Sequence, residues 1–585
     1  MIDLLLVQVS TSFLQYSNRT NEPQLGLYYI AEYVSKFGYK TKIKSYESSE
    51  PVLRNLLGLC DALKCRIVGF YIDSENLWYL RRLIPQLKHA LPKIKIVIGG
   101  PQVTGNVENV LGLLKGADVG IVGEGEETMS ELLMAIAFDN KSLMKIPGIA
   151  FKDRERIVLT ERRNIRLNID DFGYPQRELY ALDTNVEFKS LMTGRGCLGT
   201  CAFCFEGSKT FNPLRIRAVD SVLEEFDYLV KLNGNKCYLA FLDDSFIMNR
   251  ERTNAICYRL IDKYGGQVKW FCEARADVLS KNINQIPLLK QAGLIRVQLG
   301  GESGDQKVLD LYSKGIKLSQ IETVVDELYK NGIYSVYINF IIGGANESLE
   351  SFKKTLDFAK SLMKRAPGCV EVGSSMFTPY VGSPMYMMPL KYGINIIDKE
   401  LLRGPDGYIP FVETEKLNQY KILQLKDIFD TEINKLYREL LPNITHKRLL
   451  ELYRINYEYN ASFFWVENAN KIEKYKNYYE SLMSNKYVDF ETNISGNINQ
   501  SIPIRTLQPV SDGESFFYPN NSGEYVKLEG IKECVFMLSA GKLLFKEIVE
   551  ILKLKYVDLV DVTQQIIDVY ELFDAEKLIV WKNSL

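Results

Sequence analysis

Three cysteines, Cys197, Cys201 and Cys204, fall within eight residues in the segment Thr193-Gly-Arg-Gly-Cys-Leu-Gly-Thr-Cys-Ala-Phe-Cys204. Thiolates this close on a flexible loop can bind three irons of a four-iron cluster, and the fourth iron then keeps an open, reactive coordination position. Zinc is the bland alternative, but a structural zinc site needs a further Cys or His at local spacing, and none is nearby. Only two histidines exist, His89 and His446, which removes zinc hydrolase and facial-triad iron chemistry. The other seven of the ten cysteines, Cys272 and Cys369 among them, lack metal-ligand spacing and read as core thiols.

The scaffold that must present this loop is long and ordinary in composition. The 585 residues are 46% hydrophobic and 25% charged, and 72 basic against 73 acidic side chains leave a net charge of −1. That excludes a disordered or fibrous chain and a whole-protein basic field for nucleic acid. Cysteine is too dilute for a secreted disulfide scaffold, no run of eighteen apolar residues appears, and the start reads as a buried strand without a basic leader. A cytoplasmic protein with no membrane or nucleic-acid partner is expected.

Hydrophobic periodicity divides the chain into five stretches. Residues 1–150 alternate short apolar runs, at 4–9, 41–45, 67–72, 94–98 and 119–122, with helical patterns, as in a doubly wound parallel α/β sheet. Turns with glycine or small polar residues follow three of these runs, at 73–77, 99–101 and 123–128, where such sheets bind ligands. Tight strand-to-helix turns alone would look the same. Residues 151–187, with short hairpin-like runs and turn residues, read as a connector. From 188 to 395 a second alternation gives six strand candidates, at 190–193, 238–242, 268–273, 295–299, 335–342 and 370–376, as in an open or closed α/β barrel. Residues 396–510, rich in Tyr, Asn, Lys and Glu, read as a helical extension, and residues 511–585 as a small winged-helix-like domain.

Cys-x3-Cys-x2-Cys with an aromatic, Phe203, before the last cysteine, placed after a first barrel strand, resembles the radical S-adenosylmethionine (SAM) superfamily over about 187–390. The resemblance implies a partial six-stranded barrel and a [4Fe-4S] cluster on Cys197, Cys201 and Cys204. It further implies a SAM site that includes Phe203, with cleavage of bound SAM to a 5′-deoxyadenosyl radical that abstracts hydrogen. Carried over to strand ends here, it implies that Asp243 or Asp244 receives the SAM ammonium and that Arg275 pairs with its carboxylate. Glu302 and Ser303 would then lie near the ribose, and the backbone of Ile341-Ile-Gly343-Gly344 against adenine. The Phe241-Leu-Asp-Asp-Ser-Phe segment replaces the family's commoner Gly-Gly-Glu, so which aspartate acts stays open. Read singly, Asp243, Asp244, Glu302 and Arg275 fit better as helix caps and ion-pair partners; read together, at successive strand ends, they favour the ligand site.

Pro23-Gln-Leu-Gly-Leu, Val97-Ile-Gly-Gly-Pro101 and Val122-Gly-Glu-Gly-Glu126 resemble the cobalamin-binding domain joined to many such enzymes, with Ser74, Gly99, Gly100, Gly123 and Glu124 as the matching positions. Ser10-Thr-Ser-Phe stands where a histidine loop would supply an axial ligand, so the resemblance implies cobalamin without a histidine below cobalt, or a domain that has lost it. The last 75 or so residues resemble the peptide-recognition element of ribosomally made peptide pathways, which adds a leader peptide as an extra strand; a generic packing module is the alternative. Together these imply a cobalamin-dependent carbon methyltransferase acting on a precursor peptide, fed by a flavodoxin- or ferredoxin-type electron donor in anaerobic surroundings. Epimerisation, ring or thioether formation and action on a small metabolite are rivals within radical chemistry. An iron–sulfur electron carrier or a SAM sensor is the rival outside it.

Overall fold

Leu4, Leu6, Leu5, Val7 and Val9 leave no polar face on the first strand, and a strand apolar on both faces must be covered on both. The computed structural model, which describes residues 2–11, 22–135, 140–154, 156–205, 213–400, 409–484, 487–521, 523–557 and 559–583, shows that arrangement. The chain forms two units, Met1–Ala366 with Val372–Asp430, and Pro367–Glu371 with Thr431–Leu585. In the first unit, strands β1 (Leu4–Ser10), β2 (Thr41–Glu47), β3 (Ile67–Tyr71), β4 (Lys95–Gly99) and β5 (Val119–Ile121) pair in parallel, in the order β2-β1-β3-β4-β5. Successive side chains point to opposite faces: Leu5, Val7 and Val9 enter one core with Phe70 and Ile98, and Leu4 and Leu6 enter a second with Ile67 and Val97. The order reverses between β1 and β3, the switch point at which such sheets open a crevice at their carboxyl edge.

The expected connector at 151–187 does not begin where periodicity placed it. A hairpin, β6 (Ile149–Asp153) and β7 (Arg156–Leu159), adds antiparallel to β5 and extends the sheet to seven strands, because Ala150 and Phe151 are buried in it. The sheet therefore runs through Leu159.

The barrel strands are β8 (Ser190–Leu191), β11 (Tyr238–Phe241), β12 (Lys269–Ala274), β13 (Leu294–Glu302), β14 (Ser335–Ile342) and β15 (Val370–Met376), ordered β15-β14-β13-β12-β11-β8. Between β8 and β11, a short antiparallel pair, β9 (Gly194–Arg195) and β10 (Arg215–Ile216), forms the two roots of the cysteine loop. Helices Val219–Asn233, Arg250–Tyr264, Leu318–Lys330 and Leu349–Arg365 intervene between strands. Beyond the barrel, β16 (Ile394–Ile396), at the end of the barrel stretch, pairs antiparallel with β17 (Val412–Thr414), which lies in the stretch expected to be helical.

The second unit is helical from His446–Tyr459 to Glu473–Met483. A stacked Tyr453–Tyr479 pair, with ring centroids 4.5 Å apart, lies beside His446, whose ring nitrogens meet the Tyr479 hydroxyl and Asp489, each at 3.1 Å. The terminal module does not start at 511. Strand β18 (Ser501–Arg505) pairs along its whole length with the last strand, β22 (Ile579–Asn583). The module core likewise takes in Phe490 together with Phe536, Ile548, Ile566, Phe573 and Trp581. A separate sheet, β19 (Val510–Ser511), β20 (Phe516–Pro519) and β21 (Tyr525–Leu528), leaves β19 and β21 as its edges. A fragment of residues 511–585 loses β18 and Phe490, and is expected to show no cooperative thermal transition by circular dichroism, whereas residues 431–585 melt cooperatively.

Candidate functional site

The first root of the cysteine loop is pinned by one carboxylate. Asp243, just past β11 and 6% exposed, accepts from the backbone N–H of Thr193 (2.5 Å) and of Gly194 (3.0 Å) and from the Thr193 hydroxyl. Burial pushes its pKa up, and these hydrogen bonds and the charge of Arg252 act in the opposite direction. Of the two aspartates left open by the sequence, Asp243 is thus committed to the loop, whereas its neighbour Asp244 is exposed and its charge reaches Cys197 and Glu273.

Cys201 is buried, and Cys197 and Cys204 are half-buried on the same loop. Among the described residues no three ligating side chains already converge on one point. Two contacts prepare the loop: the Gly199 N–H donates to Cys197 Sγ at 3.3 Å, and Arg275 lies 3.5 Å from Cys201 Sγ. A Cβ on Gly199 would lie 2.8 Å from the Arg275 guanidinium, so a larger residue there would displace that side chain.

Arg275 was expected to hold the SAM carboxylate. Its guanidinium lies beside the cysteine loop, in contact with Cys201, Asp277 (3.0 Å) and the Lys314 carbonyl (2.5 Å). Ser303 is committed elsewhere: 1% exposed, it bonds Thr355 and receives the Asp305 N–H. Glu302 lies at a register shift in β13 and has φ +56°, a left-handed conformation rare outside glycine. It is ion-paired to buried Lys314, whose ammonium also lies 5.7 Å from the Phe203 ring. Lys314 carried no sequence signal, because an isolated lysine in a turn has no periodicity to betray its burial.

Gly343, expected against adenine, has φ +82° and donates its N–H to Glu347. Gly344 packs so closely on Tyr312 that a Cβ would lie 1.8 Å from the hydroxyl. Burial pushes Glu347 up to about 8. On β12, Glu273 accepts from Gln298 at 3.1 Å; burial pushes it up to about 7, with Asp244 raising it further and Lys314 opposing. Neither glutamate stood out in the sequence.

Two cavities open at the carboxyl edge of the first sheet, where a doubly wound fold takes its ligand. One cavity of about 310 Å³ lies at the β1/β3 switch point and is lined by Gln8, Ser10, Ser74, Asn76, Cys204 and Phe205. A second, of about 260 Å³, is lined by Gly100, Thr104, Gly123, Glu124 and Phe205, among others. Cys204 and Phe205 thus bring the cluster loop to the sheet edge. Asn76 fixes the Ser74 turn by donating to the Val9 and Tyr71 carbonyls. At Gly100, φ is +111° and a Cβ would lie 2.5 Å from the Ile72 carbonyl, while Gly123, at φ +89°, has open space where a Cβ would sit. Gly99 ends β4 and lines neither cavity. Glu124 borders the second cavity, but both its carboxylate oxygens are bonded to arginines of the barrel.

Residues 191–359 match the radical SAM superfamily and residues 18–133 the B12 binding domain. An uncharacterized methyltransferase of Pyrococcus horikoshii is 27% identical over 390 residues, covering 66% of this chain and 82% of the relative. An anaerobic magnesium-protoporphyrin IX monomethyl ester cyclase of Rubrivivax gelatinosus is 28% identical over 354 residues, covering 58% of this chain and 62% of that one. The structure of the cobalamin-dependent SAM radical enzyme OxsB with aqua-cobalamin and SAM bound superposes with a TM-score of 0.59 at 14% identity, covering 98% of this chain and 84% of that one, a likeness of fold. The chain is therefore an enzyme that joins a B12 binding domain to a radical SAM domain, with a [4Fe-4S] cluster, SAM and cobalamin as its cofactors. No described helix is long and apolar enough to cross a membrane.

The raised Glu273 value has a signed consequence. Its folded-state pKa, about 7, lies above that of an unfolded carboxyl. Stability that is fully present below the unfolded value is lost as pH rises through about 7. Glu273→Gln, which cannot ionise, should therefore gain about 2–3 kcal/mol over the parent between pH 5 and pH 8. Chemical unfolding checks this, and the parent's protonated-carboxyl infrared band should fade across the same interval.

Proposed function

We propose that the protein is a cobalamin-dependent radical SAM methyltransferase that transfers a methyl group to carbon. The observation that carries this reading is the meeting of Cys204 and Phe205 with the Ser74 turn in one cavity, which puts the cluster loop against the cobalamin edge. When bound, the cofactors supply a 5′-deoxyadenosyl radical and a methyl donor to unactivated carbon. The chain's own residues then have separable tasks. Cys197, Cys201 and Cys204 hold the cluster, Asp244 receives the SAM ammonium, and Lys314, beside Arg275, takes the carboxylate. Phe203, stacked edge-on with Tyr312 at 5.3 Å, keeps water from that side. Glu302 keeps Lys314 charged and in place, and Glu273, near neutrality in pKa, holds or accepts a proton inside the barrel.

The substrate we favour is a precursor peptide. Its support is the edge strand β21, whose Tyr525 is exposed and whose outer side is unpaired among the described residues, as strand addition requires. The cyclase relative supports a second reading, radical ring formation, in which the N-terminal domain shapes the site without methyl transfer. A flavodoxin- or ferredoxin-type protein would supply the electron in either case.

Anaerobically purified protein is expected to contain iron and about one equivalent of cobalt and to form 5′-deoxyadenosine from SAM. Cobalt-free protein that still forms 5′-deoxyadenosine would favour ring formation, and zinc in place of iron would overturn both readings. Cys201→Ala should lose iron and all 5′-deoxyadenosine formation. Asp244→Asn and Lys314→Met should each keep iron but raise KM for SAM about 10- to 100-fold, the worth of one hydrogen bond to a charged group, in a steady-state assay.

A further inference from the structure

Both ends of the cysteine loop grip the same side chain. Arg195, on β9 and two residues before Cys197, donates to Glu124 at 2.8 Å and to Glu126 at 2.6 Å. Arg215, on β10 at the far end of the loop, donates to both oxygens of Glu124, at 3.0 and 2.8 Å. Because β9 and β10 are paired, the two guanidiniums form one rigid fork around the carboxylate. The Arg195 side chain also lies over the Tyr29 and Phe172 rings, at 5.1 and 5.0 Å. Arg195 and Arg215 are nearly fully buried, with side chains 10% and 3% exposed, so the pairing is little screened by water.

Glu124 follows Gly123 on the turn after β5, at the rim of the second cavity. A carboxylate with both oxygens engaged by buried arginines has little capacity left for a ligand, and its partners are the two roots of the cluster loop rather than groups of its own domain. We propose that Glu124 is a positioning residue that sets the separation between cobalamin and the iron–sulfur cluster, by fastening the loop that carries the cluster to the turn that borders the cobalamin cavity. The inference rests on the cobalamin and cluster reading above. Methyl transfer requires the substrate carbon to lie in reach of both cofactors, and a misplacement of about 1 Å can cost about a hundredfold in rate.

The test compares holoenzyme carrying Glu124→Ala or Arg215→Lys with the parent, after cobalt and iron are quantified. The magnetic interaction between cob(II)alamin and the reduced cluster is read by electron paramagnetic resonance, and the ratio of methylated product to 5′-deoxyadenosine by mass spectrometry. Where the product is unknown, the magnetic interaction decides alone. Both variants are expected to keep the cofactors, to show an altered or lost interaction, and to give roughly a 10- to 100-fold lower ratio. Should Glu124→Ala not fold, Arg215→Lys carries the test, since it retains the charge and breaks only the fork. An unchanged interaction in the variants overturns the proposal, as does loss of cobalamin from Glu124→Ala with Arg215→Lys unaffected, which would make Glu124 a cobalamin contact. A parent protein without cobalt or iron would instead show that the underlying reading had failed.

Discussion

Asp243 sits almost out of contact with water and accepts three hydrogen bonds from two consecutive residues, Thr193 and Gly194. A carboxylate in that position is tolerable only because it is fully engaged; left unpaired, it would cost several kcal/mol. The arrangement ties the end of the first barrel strand to the end of the second, and the cysteine loop departs from that knot. Where Cys197, Cys201 and Cys204 can reach, which way Asp244 faces and how Arg275 meets the loop all follow from a fixed starting point. Charged groups farther around the barrel repeat the same economy. Arg252 donates to the carbonyls of Thr193 and Arg217, and Arg217 pairs with fully buried Glu225, so the loop root is held from several sides.

Much of this architecture is legible in the amino-acid sequence because it rests on local order. Runs such as Leu4 to Val9 and Ser335 to Ile342 announce parallel strands, and the cysteine spacing announces the chemistry of its loop. What the sequence hides is set by distant pairing. The hairpin-like runs of β6 and β7 read as part of a connector until β5 is seen beside them, and β18 looks like the tail of a helical region until β22 covers it.

Polar residues at strand ends are the hardest to read, since a carboxylate or guanidinium there can meet a ligand, cap a helix or clamp a loop with equal chemical sense. Asp243, Arg275, Ser303 and Glu124 all sit where ligand contacts were expected, and all have protein partners. Lys314 and Glu347 show the converse. Each is buried, yet neither belongs to a periodic pattern: Lys314 meets Glu302 across twelve residues, and Glu347 folds back on the Gly343 turn four residues before it. Burial by tertiary contact, unlike burial on a helix face, leaves no repeat in the chain.

The shared anchorage of Arg195 and Arg215 bears on how such an enzyme can diversify. A chain segment whose two ends are fastened to one fixed point can change in length and composition between them without moving its exits, because lengthening a closed loop adds only a small entropic cost. The stretch from residue 196 to residue 214 is in that situation. Changes in that stretch that spare Cys197, Cys201 and Cys204 therefore leave the metal-bearing end at its address.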